Sequence, residues 1–239
     1  MTNTPWMLRQ RGQSIPEFII VFPLLVLLVF GIIQFALLYQ ARATLNHATM
    51  LAARAGALHN GNKTRMREAL GAGLAPLFAT SASIAGHTNA VRLARRETAS
   101  TLATVNVINP TRAAFSDFAG PRLDGGAGRA LPNDTLNYRS PTPGTASRIS
   151  VQDANILHVR VTYCVRLIVP VLDRVIHAAV NASGSNAPVL SANGMQDPFG
   201  TGGATTARSC SNRQFRGMRI PISSEAFVRM QSPYYESNL

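Results

Sequence analysis

The sequence predicts an α+β fold: a long N-terminal transmembrane helix followed by a small antiparallel-sheet domain with long loops. Three observations carry that reading. An apolar run extends from Phe18 to Leu38, interrupted only by Gln34. Two later segments, Asn155–Tyr163 and Met218–Met230, alternate apolar and polar residues with the period of a strand. Around them lie stretches rich in proline, glycine, serine and threonine, at 109–150 and 181–217.

The chain has 239 residues, 46% of them hydrophobic and 14% charged, with a formal charge of +12. That length allows a membrane anchor plus one modest domain. The charged fraction lies below the roughly 25% of an average soluble domain. The apolar fraction is ordinary and clustered, which excludes wholesale disorder. No fixed period marks a repeat or collagen-like architecture. Lys63 is the only lysine, and the arginines scatter from Arg9 to Arg229 without a dense block. An acidic partner is compatible with this charge, whereas nucleic-acid binding draws only weak support from it.

Phe18–Leu38 comprises 21 residues. At about 1.5 Å per residue they span about 31 Å, matching the hydrocarbon core of a bilayer. A soluble core helix would show a polar face, and this segment has none. Pro23 has no amide hydrogen to bond the Ile19 carbonyl, so a kink near Ile19–Pro23 is expected. Gly31 offers a neighbouring helix a point of close approach. Beyond Leu38, alanines at 41, 43, 48, 52, 53, 55 and 57 favour continued helix. His59-Asn60-Gly61 suits a left-handed stop. One helix over about residues 14–58 therefore begins in the membrane and protrudes from it.

Three fates are open to such a segment. A cleavable secretory signal has a shorter apolar region, of roughly 7–15 residues; Ala41-Arg42-Ala43 supplies a cleavage-like pattern, but the run before it is too long. An uncleaved anchor is the second. The third arises from Gly12-Gln13-Ser14-Ile15-Pro16-Glu17-Phe18, where a glycine stands five residues ahead of a glutamate at the lip of the span. A carboxylate that enters lipid unpaired costs on the order of a few kcal/mol. Cutting after Gly12 exposes an α-amine on Gln13, and a neighbour's Glu17 can pair with that amine as helices pack. The alternative is that Glu17 stays wet and marks the cytosolic interface.

Gly12-x-x-x-x-Glu17 ahead of a hydrophobic helix resembles the processing site of type IV prepilins and pseudopilins. The stretch from Arg11 to Leu58 is similar to the TadE family, pilin-like proteins of the Flp (Tad) pilus apparatus. The matching features are Glu17-Phe18, Pro23, Gly31-Ile32-Ile33-Gln34-Phe35 and Ala52-Ala53-Arg54-Ala55-Gly56-Ala57. The resemblance covers about residues 10–60 well and continues more loosely through Ala226–Ser232. It implies a cytoplasmic leader at 1–12, then a pilin-like helix within 13–60 whose membrane span is about 18–38. It also implies cleavage between Gly12 and Gln13 by a prepilin peptidase. Glu17 and Phe18 then serve assembly, beside other pilin-like proteins in a pilus-assembly membrane complex. The implied role is that of a TadE-like pseudopilin or minor pilin in assembly of a Tad pilus for surface adhesion.

Residues 61–239 read as one α+β domain. Thr64–Leu77 is moderately helical, and Thr101–Ile108 alternates as a strand. In Asn155–Tyr163, Ile156, His158, Arg160 and Thr162 fall on one face and Leu157, Val159, Val161 and Tyr163 on the other, with Cys164 continuing the strand. Val165–Val180 reads as a helix after Pro170 or a bent strand–helix segment, and Met218–Met230 as a closing strand. Arg9 and Arg11 before the span nearly balance Arg42 and Arg54 after it, so charge alone does not orient it. A long C-terminal domain translocates largely regardless of charge, and this one holds the only two cysteines, Cys164 and Cys210. In an oxidising compartment such a pair is most simply a disulfide; the alternative is two unrelated buried thiols. The expectation is one pass through a bacterial inner membrane, with 61–239 exported.

No H-E-x-x-H, G-x-S-x-G or phosphate-loop pattern occurs. The glycine clusters at 71–73 and 125–128 lack a strand–turn–helix setting. No histidine stands at metal-ligand spacing from either cysteine, and no carboxylate pair stands out. The chain is therefore expected to be no enzyme and to hold no metal or cofactor. Beside the pilus reading, the charge leaves a second one: a membrane-anchored exported binding module with a basic face toward an anionic cell surface or DNA.

Overall fold

The computed structural model describes residues 14–170, 172–176, 210 and 217–239. The first helix, α1, runs Ser14–Leu58 without a break at Pro23. It stops where Asn60 and Gly61 adopt φ of 56° and 77°. There the Gly61 N–H donates to the Gly56 carbonyl at 2.9 Å, the closing bond of a Schellman turn. A Cβ on Gly61 would run into the Tyr234 ring. Gly61→Ala is expected to remove about 1–3 kcal/mol of stability, through strain at positive φ plus that clash. A denaturant midpoint equal to wild type in the full-length protein would contradict this.

Two further helices, α2 (Lys63–Leu74) and α3 (Ile84–Ala99), form a hairpin around a 3-10 turn at Ala75–Phe78. Each begins at a side chain that accepts the orphan N–H groups of a first turn. Asn62 accepts from Thr64 and Arg65, and Ser83 from Gly86. Leu74 and Leu70 are fully buried, so the weakly apolar 64–77 segment is helical through its tertiary packing.

The main sheet is antiparallel, in the order β1 (Ala103–Asn109), β4 (Ile156–Arg166), β5 (Arg219–Arg229). Strands β4 and β5 pair along their whole length, from Ile156 opposite Arg229 to Arg166 opposite Arg219. The two-residue period of β4 puts Leu157, Val159, Val161 and Tyr163 into the core. The second half of α1 meets that face through Ala41, Leu45, Ala48, Ala52, Ala53 and Ala57. Small residues are needed because α1 touches both α2 and the sheet. A Cβ on Gly56 would collide with Met66 of α2 and Leu157 of β4, and one on Gly73 with the backbone at Ala48.

The stretch 109–150, loop-like by composition, holds α4 (Arg112–Phe118), β2 (Gly120–Pro121), β3 (Arg129–Leu131) and a 3-10 turn at Leu136–Tyr138, with α5 (Val151–Ala154) just beyond. Strands β2, β3 and β6 (Tyr234–Tyr235) form a second, minimal antiparallel sheet. Side-chain bonds hold these short pieces. Asn109 Nδ2 donates to the Asp153 carbonyl at 2.9 Å, and Arg129 donates to the carbonyls of Phe115 and Ala119. Asp117 accepts from the backbone of Ala146 and Ser147, and hydrogen bonding by Ser147 holds its carboxyl below the ordinary range. After β4 the chain bends at Val169, turns at Pro170 and is helical over 172–176. The rest of the Val165–Val180 segment, and 181–217 apart from Cys210 and Gly217, lie outside the described residues.

Candidate membrane and helix-packing surface

Among the described residues, α1 is the helix long and apolar enough to cross a membrane. Its first half touches little of the rest of the chain. Side chains from Phe18 to Phe35 stand largely bare, Ile20 at 75% exposure. So large a contiguous apolar surface marks contact with lipid or with other helices.

The predicted site residues fall along this rod. Glu17 lies exposed in its first turn, where the positive end of the helix dipole favours a carboxylate. Phe18 and Phe22, one turn apart, pack as a tilted pair with ring centroids at 5.2 Å. Pro23 follows, and at Gly31 nothing lies within 4 Å of where a Cβ would stand, so that point is open to an approaching helix. Gly12 and Gln13 lie outside the described residues. Cys164, at the end of β4, is disulfide-bonded to Cys210 across Cα atoms 5.7 Å apart.

By sequence, Gln34 is only an interruption of the apolar run. In the folded chain it is 1% exposed, and its Oε1 accepts the N–H groups of Ile168 at 3.3 Å and Val169 at 2.9 Å. An amide in a membrane-length run calls for a partner, and that was the available signal. Nothing in the spacing pointed to residues 134 and 135 positions away.

Two polar clusters sit higher in the domain. Glu97 of α3 accepts from Arg219 Nη2 at 2.8 Å and from the Tyr163 hydroxyl at 2.5 Å. Burial, with Glu97 beside it, pushes the Tyr163 phenol above its ordinary range. On the outer face of the sheet Glu225 meets Arg160 at 2.6 Å and His158 at 2.8 Å, and Phe227 stacks on the His158 ring. His158 is thus a hydrogen-bonded, fully buried histidine with no nucleophile at hand among these partners. The arginines gather in one place only partly foreseen by their scatter: Arg92, Arg95 and Arg96 line an open cleft along α3 with His87.

Among the described residues, one long apolar helix whose distal half builds the core of a small α+β domain defines a class: a small domain carried on a bare helical shaft that fits membrane anchoring. Residues 12–54 match the family model described as TadE-like protein. The match covers 43 of the 239 residues and falls on α1, from the glycine ahead of Glu17 to Arg54. It makes the chain similar to pilin-like components associated with the Tad pilus, which are structural proteins. No curated protein and no solved structure matches the chain.

Proposed function

We propose that this chain is a TadE-like pseudopilin or minor pilin: cleaved between Gly12 and Gln13 by a prepilin peptidase, held by α1 in a bacterial inner membrane with residues 61–239 exported, and incorporated through α1 into a Tad (Flp) pilus assembly that serves surface adhesion. The observation that carries the reading is the bare shaft Phe18–Phe35 on a domain whose own core is complete without it. Lipid tails are about as apolar as leucine, so exchanging lipid for neighbouring helices involves no large hydrophobic change. The same surface therefore serves first as an anchor and then as a packing seam. Gly31 lets backbones approach, and Phe18 and Phe22 add area at the seam's inner end.

Glu17 makes the exchange selective. In lipid its carboxylate is disfavoured by a few kcal/mol, and a neighbour's Gln13 α-amine relieves that penalty on packing. The Cys164–Cys210 disulfide supports export to an oxidising side.

Mass spectrometry of the protein in assembled material is expected to find Gln13 at its N-terminus. An intact Met1 there would reject the processing step. Glu17→Ala is expected to leave membrane insertion intact while lowering incorporation about tenfold, the effect of losing one charge pair worth about 1.4 kcal/mol. Incorporation at the wild-type level would remove Glu17 from the mechanism.

A further inference from the structure

The chain leaves β4 at Arg166 and runs back along α1 until Ile168 and Val169 bond to Gln34, the one polar residue in the apolar run. Gln34 lies 18 residues beyond Pro16, about 27 Å along a helix, which is nearly the thickness of a hydrocarbon core. This segment of the domain therefore meets α1 within about 6 Å of Leu38, where the membrane-length run ends.

We infer that residues 167–170 and 172–176 form a membrane-contacting rim that seats the domain on the bilayer's outer interface and sets the depth of α1. The occupant of the surface is lipid: the upper acyl-chain segments just below the headgroups against Ile168 and Val175, with phosphate oxygens near the flanking arginines. The inference rests on the membrane-anchor part of the proposed function and adds a second contact to it.

Four features of the segment fit those surroundings. First, non-helical backbone is tolerated at membrane depth only where its polar groups are satisfied by protein. The Leu167 N–H donates to the Met218 carbonyl at 2.9 Å, those of Ile168 and Val169 to Gln34, and Pro170 has none. A run of four residues thus carries no backbone donor that needs water. Second, Ile168 is 65% and Val175 56% exposed, although their neighbours Leu167, Val169 and Leu172 are buried. Both apolar side chains belong to the segment that bonds to α1 at Gln34, within its bare run. Third, Arg166 and Arg174 are both exposed, flanking Ile168 on either side, where cations meet anionic headgroups. Fourth, Tyr39 is 77% exposed on α1, about 8 Å beyond Gln34, at the level favoured by interfacial aromatics.

With Gln34 fixed at the outer interface, Glu17 lies about 26 Å away along the helix, at the opposite face of the hydrocarbon layer. The rim thereby holds the carboxylate at the lip of the hydrocarbon layer, where leaving it unpaired is costly, instead of letting it withdraw into the cytosol. A helix held by one contact tilts freely to fit bilayer thickness, and a domain seated on the surface restrains that tilt.

Trp6 is the only tryptophan, so Trp6→Phe gives a silent background for single reporters in the full-length protein, placed one copy per lipid nanodisc. Ile168→Trp is the test, with Val175→Trp as a second reporter should the first disturb folding. Leu27→Trp reports on the shaft, and Leu123→Trp, at an exposed site beyond β2, reports on the far end of the domain. Lipids brominated high on the acyl chain are expected to cut Ile168→Trp emission by half or more and to leave Leu123→Trp unchanged. Lipids brominated near the chain end are expected to quench Leu27→Trp most. Unquenched Ile168→Trp and Val175→Trp beside quenched Leu27→Trp would overturn the rim and leave the anchor standing. Loss of quenching at Leu27→Trp as well would overturn both. Protection of Ile168→Trp only in discs with several copies would assign the surface to another copy of the chain, and would also overturn the proposal.

Discussion

Replacing Cys164 and Cys210 together by alanine is expected to cost the α+β domain about 4 kcal/mol. The bond joins residues 46 apart, and in the chain-entropy account a loop of that length gives the unfolded chain about 4 kcal/mol of lost freedom once it is closed. On the native side, alanine at Cys164, 3% exposed, removes one buried sulfur atom, a smaller term than the closed loop. A loss of that size shifts the melting temperature of a domain of this length by on the order of 10 °C. Denaturant midpoints of the full-length protein in nanodiscs, with and without reductant, measure the effect. The reduced wild type and the double alanine variant are expected to coincide. A midpoint insensitive to reductant would show that the closed loop contributes nothing and would weaken the case for an oxidising location. The same measurement bears on the proposed rim, because Leu167–Pro170 begins three residues past Cys164 and shares its strand end.

How much of this architecture could be read from residues alone varies with the range of the forces involved. The shaft of α1 and its stop at Asn60-Gly61 rest on local physics, namely apolar length and left-handed propensity, and both are legible in the sequence. Strand β4 is legible because one face is buried, so its alternation survives, and β5 for the same reason. Helix α3 left no comparable mark. Only Ala90, Ala94, Glu97 and Thr98 are buried along it, too thin and too polar a stripe to set a period. The short strands β2, β3 and β6 are two or three residues each, below the length at which any pattern exists, and side chains such as Arg129 and Tyr235 help to hold them. Among the predicted site residues, Glu17, Phe18, Pro23 and Gly31 are set by local sequence alone, at the lip of the apolar run and along it. Gln34 does not, since its meaning depends on a backbone segment far along the chain that only the fold delivers.

Glu97→Ala is the other change with a large expected effect, about 3–5 kcal/mol, the usual loss when one partner of a buried ion pair is removed. Glu97 is 8% exposed and Arg219 6%. The carboxylate binds both guanidinium nitrogens and the Tyr163 hydroxyl, joining α3 to both β4 and β5. Glu97→Gln keeps an acceptor for Tyr163 and is expected to lose less. The pH dependence separates the pair from mere packing. An unfolded tyrosine ionises near pH 10, whereas burial, and then Glu97, raise the folded Tyr163 above that value, and burial raises Tyr234 likewise. Above about pH 10 the folded state thus retains protons that the unfolded chain has released, so stability is full below that pH and falls as pH rises beyond it. Tyr163→Phe is expected to flatten that alkaline slope; an unchanged slope would mean that Tyr163 ionises alike in both states. Arg219 also donates to the Cys164 carbonyl at 2.8 Å, which ties the ion pair to the disulfide-bonded residue itself. Glu97→Ala combined with the double cysteine variant should therefore lose less than the two losses added together, because freeing the end of β4 already loosens the site that Glu97 holds. Losses that add to within about 0.5 kcal/mol would show that the pair and the disulfide act independently.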